Sequence, residues 1–589
     1  MKWTSEQLKA IETKGANIIV SAGAGSGKTA VLTERTIQNL KEFDIDKMII
    51  LTFTKAAAFS MKNKIKKAIK NSGDESLKHN LNILDTASIC TFDSFSLDLV
   101  KKYSDLLNLD SNIEIADSVL IASIKKNIID KAIDEFYSNQ KFLDFLNTYT
   151  VKDDKIIREN IIGILDSLDK IYDPIKYLDD YFNIYDETKQ KENVQEYINL
   201  INSKYHTLKN KYLELKSLIT NEKEEEFVNN LDSFMHFNSL SEYYLFHNYK
   251  LIYRLKDNEG FKEKYNEIKT IIDEIKELAI YKSEEEIINE LNQANEYVPV
   301  VIELLKKIIF NINNYKQENN LYEFNDITRL AIKIFEEHED IREFYKNTIK
   351  EIMIDEYQDT NDIGDYFISL IANNNVFMVG DVKQSIYRFR NANPKIFIKK
   401  YNDYTNHIGG VKIDLNRNFR SRREVINNIN MIFSKIMTEN LGGAEYERDH
   451  QMIFGQEGYK ASNAYNMKIL NYNKDDYSDF KEVEIEAFII ANDIKSKYEK
   501  HYQIFDLKEE KYRDFLYSDA TILLASKKEF ELYKKIFDYF NIPLTIHKDE
   551  DLSYSLELIF IKNIVKLVGY YKGINLDNML IKTYMSVAR

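Results

Sequence analysis

Cysteine occurs once in the 589 residues, at Cys90. A single thiol cannot build a disulfide framework or a cysteine-based metal cluster, and it fits a reducing compartment. Proline and glycine are also scarce, with 4 and 17 copies. Few residues therefore interrupt helices or supply tight turns, which predicts long helices and few β-turns. No run approaches the length of apolar residues that spans a bilayer, so no transmembrane helix is expected. The opening Met1-Lys-Trp-Thr-Ser-Glu-Gln7 turns polar at its fourth residue and lacks the apolar centre of a secretory signal. These absences predict a cytoplasmic protein without membrane contact.

The rest of the composition is that of an ordinary globular chain, 44% hydrophobic and 30% charged. Its length corresponds to about three or four domains. A net charge of −14 argues, as an average, against a nucleic-acid partner. Its distribution argues the other way. Lys55–Lys70 carries six lysines and no acid, Lys383–Lys400 six basic residues and no acid, and Lys412–Arg423 five basic residues against Asp414. A lysine run is usually only a solvated helix face. Here each run adjoins a phosphate or catalytic motif, which favours a basic track on an acidic body.

The most informative stretch is Ala16-Asn-Ile-Ile-Val-Ser-Ala-Gly-Ala-Gly-Ser-Gly-Lys-Thr29. Ile18–Val20 reads as a buried strand, Ala22, Gly23, Ala24, Gly25, Ser26 and Gly27 as a small-residue loop, and Ala30–Arg35 as a helix. This is the order of a nucleotide-binding P-loop, whose backbone N–H groups turn inward on phosphate oxygens. Lys28 would reach the β- and γ-phosphates of ATP, and the Thr29 hydroxyl would ligate Mg²⁺. The strict pattern begins with glycine; here that position is Ala22, so its turn must tolerate a Cβ. Upstream, Trp3–Ile11 reads as a helix capped by Thr4 or Ser5. Gln7 within it is either a surface glutamine or a reader of the adenine edge.

Lys47–Thr54 reads as a second strand followed by a basic helix, and Ser88–Phe95 repeats the pattern. Strands alternating with helices predict a doubly wound α/β domain with its binding residues at strand C-termini. Phe53 and Phe92 sit at such ends, Phe53 with Lys55 close behind it; each aromatic is either core or a base-stacking platform. From about 101 to 320 strand signals vanish and charged helical segments such as Glu196–Phe227 and Glu263–Ile280 dominate, predicting an all-helical insertion. The α/β texture returns at Tyr322-Glu-Phe-Asn-Asp-Ile327. An apolar strand then ends in Asp355-Glu356, where Asp355 can hold Mg²⁺ and Glu356 can polarise water. A further strand ends at Gly380-Asp381, ahead of Gln384, Arg388, Phe389 and Arg390. Lys412–Ser421 is read as opening a second α/β domain with Arg420 near a strand end. Ala520–Ala525, a helix to Phe540 and Pro543–His547 are read as a β-α-β unit, and Leu556–Tyr571 as a helix.

Taken in order, Gln7, the P-loop, Thr52-Phe-Thr, Thr91-Phe-Asp-Ser, Ile354-Asp-Glu-Tyr-Gln-Asp-Thr-Asn, Gly380-Asp-Val-Lys-Gln-Ser-Ile-Tyr-Arg-Phe-Arg and Asn418-Phe-Arg-Ser resemble superfamily 1 DNA helicases of the UvrD/Rep type. The long helical stretch, Glu323-Phe-Asn-Asp-Ile and Asp519-Ala-Thr-Ile-Leu-Leu-Ala-Ser526 most resemble the A subunit of AddAB helicase–nucleases, over the first half of such a subunit. The resemblance implies a RecA-like P-loop domain at 1–100 and 321–405, the insertion at 101–320, and an incomplete second RecA-like domain at 406–589. It implies ATP and Mg²⁺ as cofactors, single- and double-stranded DNA as substrate, and an AddB-like partner subunit.

It further implies that Gln7 reads adenine, that Gln384 couples the γ-phosphate to DNA, and that Arg420 touches the γ-phosphate. Phe53, Lys55, Phe92, Phe389 and Arg390 would lie along single-stranded DNA, with Phe389 in place of a common tryptophan. The sequence departs from the family at Asp93, usually His, and at Lys55, usually Asn. The later motifs of the second domain and the nuclease domain of such a subunit fall beyond residue 589, and nothing in these residues supports nuclease activity. Three functional readings follow: an ATP-driven 3′ to 5′ translocase or helicase, an ATP- and DNA-binding module that does not unwind by itself, and a P-loop NTPase without a nucleic-acid partner, which the Gln-Ser-Ile-Tyr-Arg-Phe-Arg stretch and the three basic tracks disfavour.

Overall fold

The computed structural model describes residues 3–564 other than 111, 151–153, 182–186, 250–257, 439, 440, 442, 461, 463, 464, 508, 547–556 and 563. The chain divides into two compact units, Met1–Asn418 with Ser434–Gln451, and Phe419–Phe433 with Met452–Arg589.

The first unit is built on strands β1 (Ile18–Ala22), β2 (Met48–Thr52) and β3 (Ser88–Thr91). After a short β4 (Glu114–Ile115) and β5 (Leu321–Tyr322) come β6 (Glu351–Ile354), β7 (Val376–Gly380) and β8 (Val411–Leu415). Six of them form one parallel sheet in the order β3-β2-β6-β7-β1-β8. Its two faces follow the period of two. Ile19, Ile49, Leu51, Ile352, Ile354 and Met378 enter one core layer; Ile18, Val20, Ile50, Met353, Phe377 and Val379 enter the other. Helices cover both faces, so the strands read as continuous apolar runs.

The strand at Val411–Leu415 corrects the sequence reading. It does not open a second domain but pairs in parallel with β1, Ile18 opposite Val411 and Ala22 opposite Leu415. The reason is backbone satisfaction. Every residue of β1 is buried, so both of its edges need hydrogen-bonding partners; β7 supplies one and β8 the other.

Between β4 and β5 lie helices, including Ser118–Phe136, Lys155–Leu168, Glu187–Lys216, Glu222–Asp232, Glu259–Leu278 and Glu284–Glu318. Strand signal does not vanish altogether here, because Glu114–Ile115 pairs with Leu321–Tyr322 and closes the base of the helical stretch. The segment read as helix over Glu196–Phe227 is broken at 217–221, where Asn221 caps a new helix through the N–H of Glu224. Two cores hold these helices. One gathers Val194, Tyr205, Phe227, Phe246, Phe261 and Ile272, the other Ile133, Phe142, Ile161, Leu304 and Ile308. Helix Glu284–Glu318 serves both, Ile287 in the first and Val300–Ile312 in the second, with Pro299 inside the helix at the changeover.

The second unit contains helices Glu482–Glu499 and Phe530–Tyr539 and an antiparallel hairpin, Gln503–Asp506 with Lys511–Asp514. The expected β-α-β unit is present only as its helix. Ala520–Ala525 and 543–546 belong to no ladder among the described residues; His547 lies outside them. The strand-like alternation is nevertheless there: Ile522, Leu524 and Leu544 pack on Ala487, Ala491 and Phe537, while Leu523 is 90% exposed. Apolar alternation sets which side packs inward, but only a neighbouring strand makes a ladder. Of Leu556–Tyr571, 557–562 and 564 are helical and the rest lies outside the described residues. No helix of the described residues is long and apolar enough to cross a membrane.

Candidate nucleotide site and nucleic-acid interface

β1 delivers the chain into the loop Gly23–Gly27 and the helix Lys28–Asn39. Ala22 is still in the strand and fully buried among the core side chains of the sheet, so its Cβ packs rather than obstructs. The turn falls at Gly25 and Gly27, with φ of +71° and +88°, a region that glycine enters at little cost. Three contacts hold the loop open. The Gly23 N–H donates to the Leu415 carbonyl at 3.2 Å, the Asn418 amide to the Ala24 carbonyl at 2.8 Å, and the Gln7 amide to the Ser26 carbonyl at 2.9 Å.

Among the described residues, no side chain caps the Lys28–Asn39 helix, and Ser26 Oγ is buried with no hydrogen-bond partner. Free N–H donors at a helix N-terminus and an orphaned buried hydroxyl fit a bound phosphate chain. Gln7 is the N3 residue of a capping box with Thr4: its Oε1 accepts from the Thr4 N–H at 3.0 Å and its own N–H donates to Thr4 Oγ1 at 3.2 Å. One amide hydrogen of Gln7 is left over from these contacts.

Lys28 Nζ lies 3.1 Å from Glu356 Oε2. Glu356 follows β6 in the left-handed region, φ +53°, a conformation that costs a non-glycine residue about 1–3 kcal/mol and clusters at functional sites. Asp355 precedes it, accepting from the Glu356 N–H at 3.1 Å. Burial, then the Glu356 charge, pushes the Asp355 carboxyl up to about 6, against the pull of Lys28. Asp359 is pushed up to about 6 by the same causes. Thr29 is half-buried in the first turn of its helix, where its hydroxyl and the Asp355 carboxylate are hard oxygen donors suited to Mg²⁺.

Gln384 donates to Asp381 Oδ2 at 2.7 Å, and Lys383 Nζ lies 2.6 Å from Asp381 Oδ1. Sequence reasoning assigned no role to Gln358, which joins these two groups of residues. Its Nε2 donates to Glu356 Oε2 at 2.8 Å, and its Oε1 accepts from the Asp381 N–H at 2.8 Å.

A cleft of about 310 Å³ adjoins the carboxylates, lined by Phe53, Phe92, Asp93, Phe324, Asp355 and Glu356 among others. It brings Phe92 together with Asp355 and Glu356, and draws in Phe324 and Asn325 from the Glu323-Phe-Asn-Asp-Ile element. Desolvation raises the Asp93 carboxyl and the charge of Lys55 works against it. The two positions that depart from the family pattern are thus electrostatic neighbours.

Phe53 meets Tyr387 with ring centroids 4.8 Å apart, and Tyr387 meets Phe389 at 5.8 Å. Phe389 is 79% exposed and Lys55 is exposed. Tyr387 was missed because its ring, in the segment after β7, meets Phe53, just after β2, across the end of the intervening strand β6. Phe92 is not part of this row and packs toward Asn361 and Gly364. The Arg390 side chain lies outside the described part. Arg420 is exposed, two residues beyond the short strand Arg417–Asn418, in the second compact unit.

Arg35 was also missed, for its helical position looks unremarkable. It is 2% exposed, donates to Glu351 Oε1 at 2.6 Å and to the Ala10 and Thr13 carbonyls at 2.8 and 2.7 Å, and lies 4.3 Å above the Phe377 ring. It ties the helix behind the P-loop to β6.

Comparison with known proteins agrees with this geometry. The family model of the UvrD/REP helicase N-terminal domain matches residues 3–232 and 164–405. The chain is 30% identical to the A subunit of the ATP-dependent helicase/nuclease of Staphylococcus haemolyticus, over 96% of this chain and 50% of that protein. It is 32% identical to the protein of the same name from Clostridium botulinum, over 96% and 52%, and 34% identical to that from Clostridioides difficile, over 77% and 40%. It spans about half the length of these relatives. With the family model matched across more than half of its residues, this chain belongs to the UvrD/REP helicase family.

Proposed function

We propose that the chain carries the ATP-hydrolysing motor of an AddA-type helicase subunit, which moves 3′ to 5′ along single-stranded DNA beside an AddB-like partner. The observation that carries this reading is the Lys28–Glu356 contact at the C-terminal ends of β1 and β6, where doubly wound folds bind ligands. In this reading the loop N–H groups and Lys28 hold the phosphates of ATP, Thr29 and Asp355 hold Mg²⁺, and Gln7 reads the adenine edge. The bound Mg²⁺ would neutralise charge on the transferring phosphoryl group. Glu356 accepts the proton of the attacking water and Gln384 senses the γ-phosphate, while Arg420 is the arginine that the family pattern assigns to that phosphate.

DNA lies along Phe53, Tyr387 and Phe389, with Lys55 and Arg390 on its phosphates and Phe92 linking that track to the carboxylates. We read the first RecA-like domain at 1–100 and 321–405 carried on through β8, the helical insertion at 101–320, and residues of a second RecA-like domain in the remainder. Ala520–Ala525 and 543–546, which join no ladder among the described residues, favour a second reading: an ATP- and single-strand-binding module that does not unwind DNA by itself.

The test is steady-state ATP hydrolysis by the purified chain at low salt, with and without an oligo-dT strand. Strong stimulation that Lys28→Ala abolishes supports the motor. Turnover that survives Lys28→Ala overturns the site, and nucleotide binding without stimulated turnover favours the second reading.

A further inference from the structure

We propose that Gln358 is the positioning residue through which the water-activating carboxylate and the γ-phosphate sensor are kept in register. The inference rests on the nucleotide-site reading above and adds a residue to which that reading gives no role.

Gln358 is 1% exposed, and its amide is oriented without ambiguity. The Asp381 main-chain N–H can only donate, so the atom it meets at 2.8 Å must be Oε1. The NH₂ group therefore faces Glu356 Oε2 at 2.8 Å. On its far side Asp381 is 1% exposed, and its carboxylate takes Gln384 Nε2 at 2.7 Å and Lys383 Nζ at 2.6 Å. A continuous path results: Lys28, Glu356, Gln358, the backbone of Asp381, Asp381 Oδ2, Gln384.

Gly380 shows that the fold makes room for this crossing. A Cβ there would stand 2.6 Å from Gln358 Oε1 and 2.9 Å from Phe397 Cε2. Gly380 carries no positive φ, so glycine is needed for the passage of the Gln358 side chain rather than for a turn. The same loop that carries Gln384 runs on to Tyr387 and Phe389. A shift of Gln384 toward a phosphate moves the Asp381 carboxylate, and Gln358 passes the displacement to Glu356.

Coupling between the two ligands is the readout, because a merely structural role does not change it selectively. Anisotropy of a fluorescein-labelled oligo-dT strand would be measured on the full chain, with and without a non-hydrolysable ATP analogue and Mg²⁺. Gln358→Met keeps volume and removes the hydrogen bonds to Glu356 and Asp381, together with a longer one from Nε2 to Asp359 Oδ2 at 3.4 Å; Gln358→Glu keeps the acceptor for Asp381 and places a carboxylate against Glu356. In the unaltered chain the analogue should change DNA affinity at least fivefold. Gln358→Met should bring that ratio to within twofold of one while each ligand alone binds within threefold of the unaltered chain, and Gln358→Glu should do the same. Retained coupling in both variants, or no coupling in the unaltered chain, overturns the inference. Loss of both single-ligand affinities with a lowered melting temperature also overturns it, in favour of a packing role. Failure of the unaltered chain to bind the analogue at all instead removes the nucleotide-site reading on which it rests.

Discussion

Lys28 and Glu356, 328 positions apart in sequence, meet at 3.1 Å. The ammonium that would hold phosphate is thus paired with the carboxylate that would activate water, and phosphate must displace one of them to reach the other. The pair is only partly shielded, at 13% and 37% side-chain exposure, so its strength is that of a modest ion pair, about 1 kcal/mol or less.

That competition makes a signed prediction for Glu356→Gln. Losing the charge frees Lys28, so nucleotide should bind about two- to fivefold more tightly. Hydrolysis should fall by about 10²–10⁴-fold, the usual cost of losing a general base. Titration with a fluorescent nucleotide and single-turnover hydrolysis check the two halves separately. Weaker binding would mean that Glu356 does not compete for Lys28.

Asp359 stores a different tension. Its carboxyl is 7% exposed, its Oδ1 has no hydrogen-bond partner among the described residues, and burial pushes it up to about 6. The folded chain therefore holds a proton there that the unfolded chain, near 4, releases. Stability falls as pH rises through 4 to 6, and the penalty stays in full above that. Asp359→Asn should leave stability at pH 4 nearly unchanged and raise it by about 1–3 kcal/mol at pH 8. Chemical denaturation at both values checks this; an equal gain at each pH would refute the titration as its cause.

Arg35 is predicted to matter for integrity and not for chemistry. Arg35→Ala leaves Glu351, itself 6% exposed and raised by burial, without its counter-charge, and should cost about 3–5 kcal/mol. The double variant Arg35→Met with Glu351→Met should recover most of that loss. Thermal melts of the three proteins test it.

Phe389 and Lys55 separate stacking from charge. Phe389→Ala should weaken oligo-dT binding by about 1–3 kcal/mol with an unchanged salt slope, and Phe389→Trp should restore it. Lys55→Ala should lower the salt slope by about 0.7. Affinity measured across a salt series distinguishes the two. A changed slope in Phe389→Ala would contradict a stacking role.

Much of the mixed α/β fold with its parallel central sheet could be read in advance, because buried strands such as Ile18–Val20 and Val376–Gly380 are apolar runs closed by small or acidic residues. That the small-residue loop follows β1 and Asp355-Glu356 follows β6 was legible for the same reason: each placement is local to one strand end. Membership of Val411–Leu415 in the first sheet was not legible, since a strand's neighbour is chosen by the unpaired edge of β1, far away in the chain. Gln358, Tyr387 and Arg35 escaped because each acts through a partner on another element. The Lys55 and Asp93 departures could be noticed singly, but that they answer each other is a fact of three-dimensional placement. Ala520–Ala525 misled because alternation records packing and is silent on whether a ladder exists.

The order of the strands also sets a timetable for synthesis. β1 is made almost first, yet its neighbours in the sheet are β7 and β8, and the loop after it is secured by Leu415 and by Asn418, 394 positions beyond Ala24. At translation rates of about 5–20 residues per second, the glycine loop waits for roughly 20–80 s before the strand that fastens it leaves the ribosome. The helices after β3 have cores of their own and can condense during that interval. The glycine loop, translated near the start, therefore acquires its shape only once Asn418 has emerged, and until then both edges of a strand built for full burial stand open to a chaperone or to a neighbouring chain.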